Sequence, residues 1–446
     1  AYREFPVSAK LGGEDGMAGN LADLHMEDGK LVKITMKRDR LSGKVLSVTE
    51  DAIEIEGYGE IPLAPNFHVY KIYGDFKVLN ASDILVGYNL QEFVAADGKL
   101  CAALLEREFD AKTIRVLLMD TGFKSVFHAS ADLVLGSGAN LEYENAKGKM
   151  VGERLEAGTQ LTVGPDSPYL EFGRMIITPD EPEAITIRSI ERSQGTPVYS
   201  GSLEIKGMPE GLVLVNDLYL EDYLTKVVPS EMPPSYEKEA LKAQACAART
   251  YTVRKQEHTT GAHPEADVCT DVNCCQAYVP RETAESRWGV SAQTYAQKIE
   301  EAIAGTDGLG VLYQGEPIQA VFFSSAPGRT VDAVEVWGNQ VDYLQSVESP
   351  EGEEVPNYHS QAVFSAAQVR ETVLASYPGA DLSGDPSVWF GTPAVNEGGT
   401  VSSVLVGGVT LTGGQVRTLF GLRSACFTVG WDGTNFTFSV TGYGHG

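Results

Sequence analysis

The feature that most constrains this chain is a change of hydrophobic period near Tyr199. Upstream, in runs such as "LVKITMKRDRLSGKVLSVTEDAIEIEGYGEIPL", apolar residues alternate at period two between breaks of Gly, Asn and Asp. Downstream, Leu220, Tyr223, Leu224, Val227 and Val228 recur at i, i+3, i+4, i+7 and i+8. The first pattern buries one face of a strand and the second one stripe of a helix. The chain is therefore read as α+β: residues 1–105 form a β-rich, small barrel-like module, and residues 106–198 a second β-rich module. Residues 199–446 form a mixed α/β core with an insertion-like region near 350–400.

Within the core, "YLTKVVPSEMPPSYEKEALKAQACAARTYTVRK" holds one carboxylate, Glu231, between Pro229 and the pair Pro233-Pro234. Prolines fix φ and bias the residues before them away from helix, so Glu231 is expected in a stiff connector between two helices. The second helix is expected from about Ser235 to Lys255, with Ser235 as its cap and Glu237 and Glu239 where the helix dipole favours negative charge. Its alanine-rich centre implies close approach to another element.

The net charge is −26, and no basic run of five residues occurs, which argues against nucleic acid as a partner. No apolar run reaches the ~18–20 residues of a membrane span, and the opening "AYREFPVSAKLGGEDG" lacks the apolar centre of a signal peptide. Three of the six cysteines fall within seven residues, unlike the spread of a disulfide scaffold. In "HPEADVCTDVNCCQAY", His263, Cys269, Cys274 and Cys275 offer four N/S donors within 13 residues, enough for a closed tetrahedral zinc site that is structural rather than catalytic. A disulfide from Cys269 to a neighbour and free thiols are the competing readings, and His258 is an alternative ligand. Cys101, Cys246 and Cys426 read as small buried apolar residues.

Four stretches carry a resemblance: the helix pair quoted above, "CCQAY", "GVLYQGEPIQAVFFSSAPGRTVDAVEVWG" and the closing "GYGHG". In this order they resemble the SpoIID/LytB family of cell-wall proteins over about 250 residues. The loop here reads "SSAPGR", whereas the family has serines followed by two glycines, and the family's C-terminal signature continues beyond "GHG".

The resemblance implies a peptidoglycan lytic transglycosylase that cleaves the MurNAc–GlcNAc bond and leaves 1,6-anhydroMurNAc ends. Such an enzyme can work with one carboxylate, where hydrolases generally use two. Glu231 matches the family's general acid, which then acts as base, and the reaction needs a raised pKa that Val228, Met232 and the prolines could supply. Arg249 matches the family's arginine and Ser324 and Ser325 its serine loop, with Arg249 and Ser325 assigned to catalysis and Ser324 to substrate binding. Arg249 could instead be a structural ion pair.

Gln244, Gln276, Tyr278 and His445 are weaker substrate-binding candidates. The resemblance extends the metal reading to the Cys/His loop, and the chemistry itself needs no cofactor. It also implies glycan strands as partner, an amidase or another sporulation protein as a further partner, and a Gram-positive, spore-forming or related source. The expected location is extracytoplasmic: secreted, at the forespore-engulfing surface, or held at the wall or membrane through a segment outside this chain. The alternative is a non-catalytic amidase enhancer or wall-binding protein of the LytB type.

Overall fold

The computed structural model describes residues 6, 20–73, 76–106, 111–147, 149–192, 195–257, 263–351 and 354–444. They form two compact units, 1–320 and 321–446. The mixture of helices and many sheets is α+β, as the change of period requires.

The N-terminal sheet orders its strands Asp39–Leu41, Gln91–Ala96, Lys99–Leu105, Gly59–Lys71, Ala52–Ile55 and Val45–Val48, and Lys77–Leu79 also pairs with Gly59–Lys71. The long strand serves both halves: its start pairs with Ala52–Ile55, and its end runs parallel to Lys99–Leu105. Ile53, Ile55, Val69, Phe93 and Leu100 fill the core beneath.

The barrel expected here does not close, which corrects the sequence reading. Closure would need the end strands Asp39–Leu41 and Val45–Val48 to share a ladder. The Val45 N–H instead donates to the Tyr88 carbonyl, and the Val45 carbonyl accepts from Gly87, so the Gly87–Tyr88 loop takes those groups.

A second seven-stranded sheet positions the site. Its order is Met150–Leu155, Ala139–Glu144, Arg174–Pro179, Ser202–Met208, Gly211–Tyr219, Thr113–Leu117 and Val268–Cys269, and only the last pairing is parallel. Strands from both sides of the 198/199 boundary share this sheet. Beside it, Gln160–Val163, Ala131–Leu135, Ile185–Ile187 and Val198–Tyr199 form a smaller antiparallel sheet.

Helices α1 (Leu220–Glu231), α2 (Lys238–Glu257), α3 (Arg281–Trp288) and α4 (Ala292–Ala304) follow. The apolar stripe of α1 enters one core with Leu241, Ala245 and Ala248 of α2 and Ile299, Ala302 and Ile303 of α4. Leu224→Ala in this fully buried stripe would cost about 2–5 kcal/mol. The small side chains of Ala245 and Ala248, both fully buried, let α2 approach its neighbours closely.

Pro229 lies inside α1, contrary to the expected break, and the helix runs on to Glu231. Within the last turn, a missing N–H costs one hydrogen bond while the rest of the ladder holds. The Met232 N–H still reaches the Val228 carbonyl at 2.9 Å, and Ser230 Oγ donates to the Lys226 carbonyl at 2.7 Å. The Pro233-Pro234 pair then turns the chain, and the second helix starts at Lys238 rather than Ser235.

In the second unit, Asn435–Thr441 pairs with His359–Ser365 and Phe427–Trp431. A second small sheet carries Val401–Val406 between Ala394–Val395 and Val409–Leu411. The short α5 (Ala333–Trp337) precedes α6 (Ala366–Ser376) and α7 (Gly413–Phe420). Capping boxes at Ser365/Gln368 and Thr412/Gln415 start α6 and α7. Val373, Trp389, Val404, Phe420 and Phe438 lie in one core.

Candidate functional site

Glu231 follows Val227 by four residues and Val228 by three, so it continues the buried stripe of α1 instead of pointing straight into solvent. The helix delivers a half-buried carboxylate to the margin of the core. The backbone N–H of Ala277 donates to its Oε1 at 2.7 Å. Burial pushes the Glu231 carboxyl above its ordinary pKa, and the Ala277 bond pulls the other way without cancelling the rise. Because the amide engages Oε1 as acceptor, the proton of the neutral acid belongs on Oε2.

Ala277 sits on the loop that carries the cysteines. Val268–Cys269 adds a short parallel strand to Thr113–Leu117, and the Thr270 N–H continues the pairing to the Leu117 carbonyl. The chain then turns over Asp271, whose carbonyl accepts the N–H groups of Cys274 and Cys275. One donor atom each from His263, Cys269, Cys274 and Cys275 lies within 4.8 Å of all the others.

His263 Nε2 is 3.3 Å from Cys274 Sγ and 3.6 Å from Cys275 Sγ, and the two sulfurs are 4.0 Å apart. Tetrahedral zinc, about 2.3 Å from sulfur and 2.0 Å from nitrogen, sets donor-to-donor edges of about 3.5–3.8 Å. The cluster thus has the size of a four-coordinate metal site.

The His263 Nδ1–H donates to the Asp267 carbonyl at 3.2 Å, which fixes the tautomer and leaves the Nε2 lone pair facing the sulfurs. Hydrogen bonds from Cys269 and then from His263 hold the Cys275 thiol below its ordinary range, against its burial. The site can hold a metal ion. No disulfide joins any of the six cysteines. His258 lies outside the described residues. Cys101 is buried as expected, whereas Cys246 and Cys426 are only half-buried.

The other candidates divide. Arg249 is buried on α2 and pairs with Glu221 through two 2.7 Å bonds, and it also donates to the Leu309 carbonyl at 3.0 Å. Both members of the pair line a recess of about 770 Å³ between Tyr219, Thr250, Val253, residues 307–310 and Leu312. Gln244 and Gln276 are buried, each with an Nε2 that has no partner, while Gln276 Oε1 accepts from Thr252 at 3.2 Å. Tyr278 is a core residue: its hydroxyl donates to Asn216 Oδ1 at 2.8 Å and its ring stacks on Tyr223 at 5.5 Å.

Ser324 and Ser325 belong to the second unit. Ser324 is exposed, whereas Ser325 exchanges backbone bonds with Tyr443 and keeps a buried Oγ without a partner. His445 lies outside the described residues. Sequence reasoning missed the Ala277 amide, which has no side-chain signature, and the Arg249 partner Glu221, which sits 28 positions away.

The acid-bearing helix, its partner helix and the donor cluster all fall within residues 209–313, the stretch matched by the family model SpoIID, "Stage II sporulation protein". The chain belongs to this family. It is 33% identical over 258 residues to Stage II sporulation protein D of Bacillus subtilis, which covers 56% of this chain and 74% of that protein. The Bacillus amyloliquefaciens protein of the same name is 34% identical over 233 residues, 52% of this chain and 66% of its own length. The amidase enhancer of Bacillus subtilis is 36% identical over 121 residues, 27% of this chain and 14% of that protein.

Proposed function

We propose that this chain is a peptidoglycan lytic transglycosylase in which Glu231 acts first as acid and then as base. The observation that carries the reading is a half-buried carboxyl with a raised pKa, anchored through Oε1 by a neutral amide. Oε2 gives its proton to the oxygen linking MurNAc C1 to GlcNAc, and the C1–O bond breaks as oxocarbenium character develops. The carboxylate then takes the proton of the MurNAc C6 hydroxyl, and that oxygen closes the 1,6-anhydro ring on C1. Proton and bond changes balance without water or a second carboxylate.

Gln244 and Gln276 keep only a weaker substrate-binding role, because both Nε2 groups are buried and would have to be uncovered before a glycan could reach them. We read Arg249 as a positioning brace between α1 and α2, because Glu221 and a carbonyl already occupy its guanidinium. Ser324 and Ser325 keep their proposed roles on the substrate side and in catalysis.

Zinc is the metal that suits three cysteines and one histidine at these spacings. Bound there, it supplies a rigid cross-link and takes part in no chemical step. Cys275 is two residues before Ala277, so a fixed cluster also fixes the amide that orients Glu231.

The sporulation and amidase-enhancer relatives support the cell wall as the working site, and the proposed reaction itself makes glycan strands the partner. They keep the amidase-enhancer reading as the alternative. Among the described residues, no helix is long and apolar enough to cross a membrane. An extracytoplasmic location is proposed on the relatives alone.

The test is digestion of purified peptidoglycan, intact and stripped of stem peptides, by the chain and by Glu231→Gln, read by mass spectrometry for 1,6-anhydroMurNAc ends. Ends that disappear in the variant support the transglycosylase. Their absence with wild-type protein on both substrates, together with stimulation of an added amidase, favours the enhancer.

A further inference from the structure

Among the described residues the N-terminal sheet has no cluster of chemical side chains of its own, yet it reaches the support of the metal loop. Tyr88 donates its hydroxyl to Asp267 Oδ2 at 3.0 Å and accepts from Gln256 Nε2 at 2.9 Å. Asp267 is only 2% exposed, and the same oxygen also takes the Arg115 N–H at 3.0 Å. The Asp267 carbonyl is in turn the acceptor for His263 Nδ1–H. A route of three hydrogen-bonded residues therefore runs from the N-terminal sheet to a metal-type donor.

A second route runs beside it. Lys206 is shared between Glu54 at 3.1 Å and Glu265 at 2.9 Å, and the Arg115 Nε–H donates to the Glu265 carbonyl at 2.9 Å. Lys44 reaches Glu204 at 2.7 Å, and Glu204 also holds Arg115 and Arg174. The loop bearing Tyr88 can approach this network because residue 87 is glycine. Its φ is +92°, and an added Cβ would lie 2.6 Å from Arg115 Nε. The network rigidifies this region without being fully satisfied: Gln256 Oε1, Glu265 Oε2 and Asp267 Oδ1 are buried without a partner, so Asp267 depends on the bonds its Oδ2 makes.

We propose that Tyr88 is a positioning residue for His263, acting through Asp267, so that the N-terminal sheet sets how tightly the His/Cys cluster holds its metal. This rests on the reading that the cluster binds zinc. It gives the sheet a task that its own residues do not announce: it is part of the outer support of the metal site.

The test uses the full chain loaded with zinc and challenged with excess 4-(2-pyridylazo)resorcinol, with a cobalt-substituted sample followed by its d–d absorption. Tyr88→Phe is expected to release zinc about tenfold faster, the lower end of what outer-shell partners contribute. Its cobalt envelope should change shape, and Gly87→Ala should move both readouts the same way. Ile53→Val, a loss of bulk in the fully buried core of the same sheet, should lower the melting temperature while leaving release rate and spectrum at wild-type values.

Release within twofold of wild type and an unchanged cobalt spectrum for both Tyr88→Phe and Gly87→Ala would overturn the proposal and leave zinc binding intact. A wild-type chain that takes up neither zinc nor cobalt would overturn the metal reading, and this proposal with it.

Discussion

Glu231 and Arg249 are charged residues on successive helices, and their surroundings differ in kind. Arg249 meets a carboxylate through two bonds and a carbonyl through a third, so its charge is compensated where it lies. Glu231 meets one neutral amide and a partly apolar margin, and its ionised form is disfavoured. A compensated charge holds elements together, whereas one left short of partners keeps a proton to give. Arg249 is therefore expected to show itself in stability and Glu231 in chemistry.

The comparison breaks most readily at Glu231. Glu231→Gln should lower the yield of anhydro ends by about 10²–10⁴-fold, the range of general acid–base catalysis. Its melting temperature should not fall, because the substitution removes an ion that burial disfavours. A variant that both loses activity and unfolds would make Glu231 a structural residue like Arg249.

Next in size is the metal loop. Cys275→Ser, or wild type treated with a strong chelator, should lose most activity and melt several degrees lower. Both should retain little zinc by atomic absorption, since a structural site contributes folding free energy directly. Activity that survives complete removal of the metal would uncouple the loop from Ala277.

Arg249→Met should destabilise the chain by about 1–3 kcal/mol in urea, less than a fully buried pair because Glu221 is partly exposed. At temperatures well below the melt it should keep most of its turnover. Full folding with lost turnover would return Arg249 to the reaction.

The pH dependence sharpens the same contrast. The Glu231 pKa is raised in the folded chain, so its contribution to stability is fully present below the unfolded value and is lost as pH rises through the folded one. Wild type should accordingly lose ground to Glu231→Gln over that interval in paired urea titrations. Activity should decline as the acid loses its proton. The smallest effect is expected from Ser325→Ala: removing a buried hydroxyl with no partner should leave stability within about 0.5 kcal/mol of wild type, or raise it. A loss of turnover without any change in the melt would place its Oγ on the substrate.

What the sequence revealed followed the range of each interaction. The α1 stripe and the four donors between His263 and Cys275 were legible because each is local, a period or a spacing. Closure of the N-terminal sheet was not legible, since it depends on whether two end strands meet, and the Gly87–Tyr88 loop pairs with Val45 instead. Pro229 was expected to break α1, yet three prolines in one stretch do not say which of them the last helical turn can absorb. The partners that settle the site lie far apart along the chain. Ala277 is 46 residues from Glu231, and Tyr88 is 179 from Asp267. Neither periodicity nor composition reports on such distances.

The pairing of Val268–Cys269 with Thr113–Leu117 has a consequence for solubility. An edge strand with open N–H and C=O groups is a template for other chains, and Thr113–Leu117 is apolar along most of its length. The two-residue strand from the cysteine loop is its cover on that side. Whatever loosens the loop also bares a sticky edge, so a variant in which this loop is detached would be exposed to self-association along Thr113–Leu117.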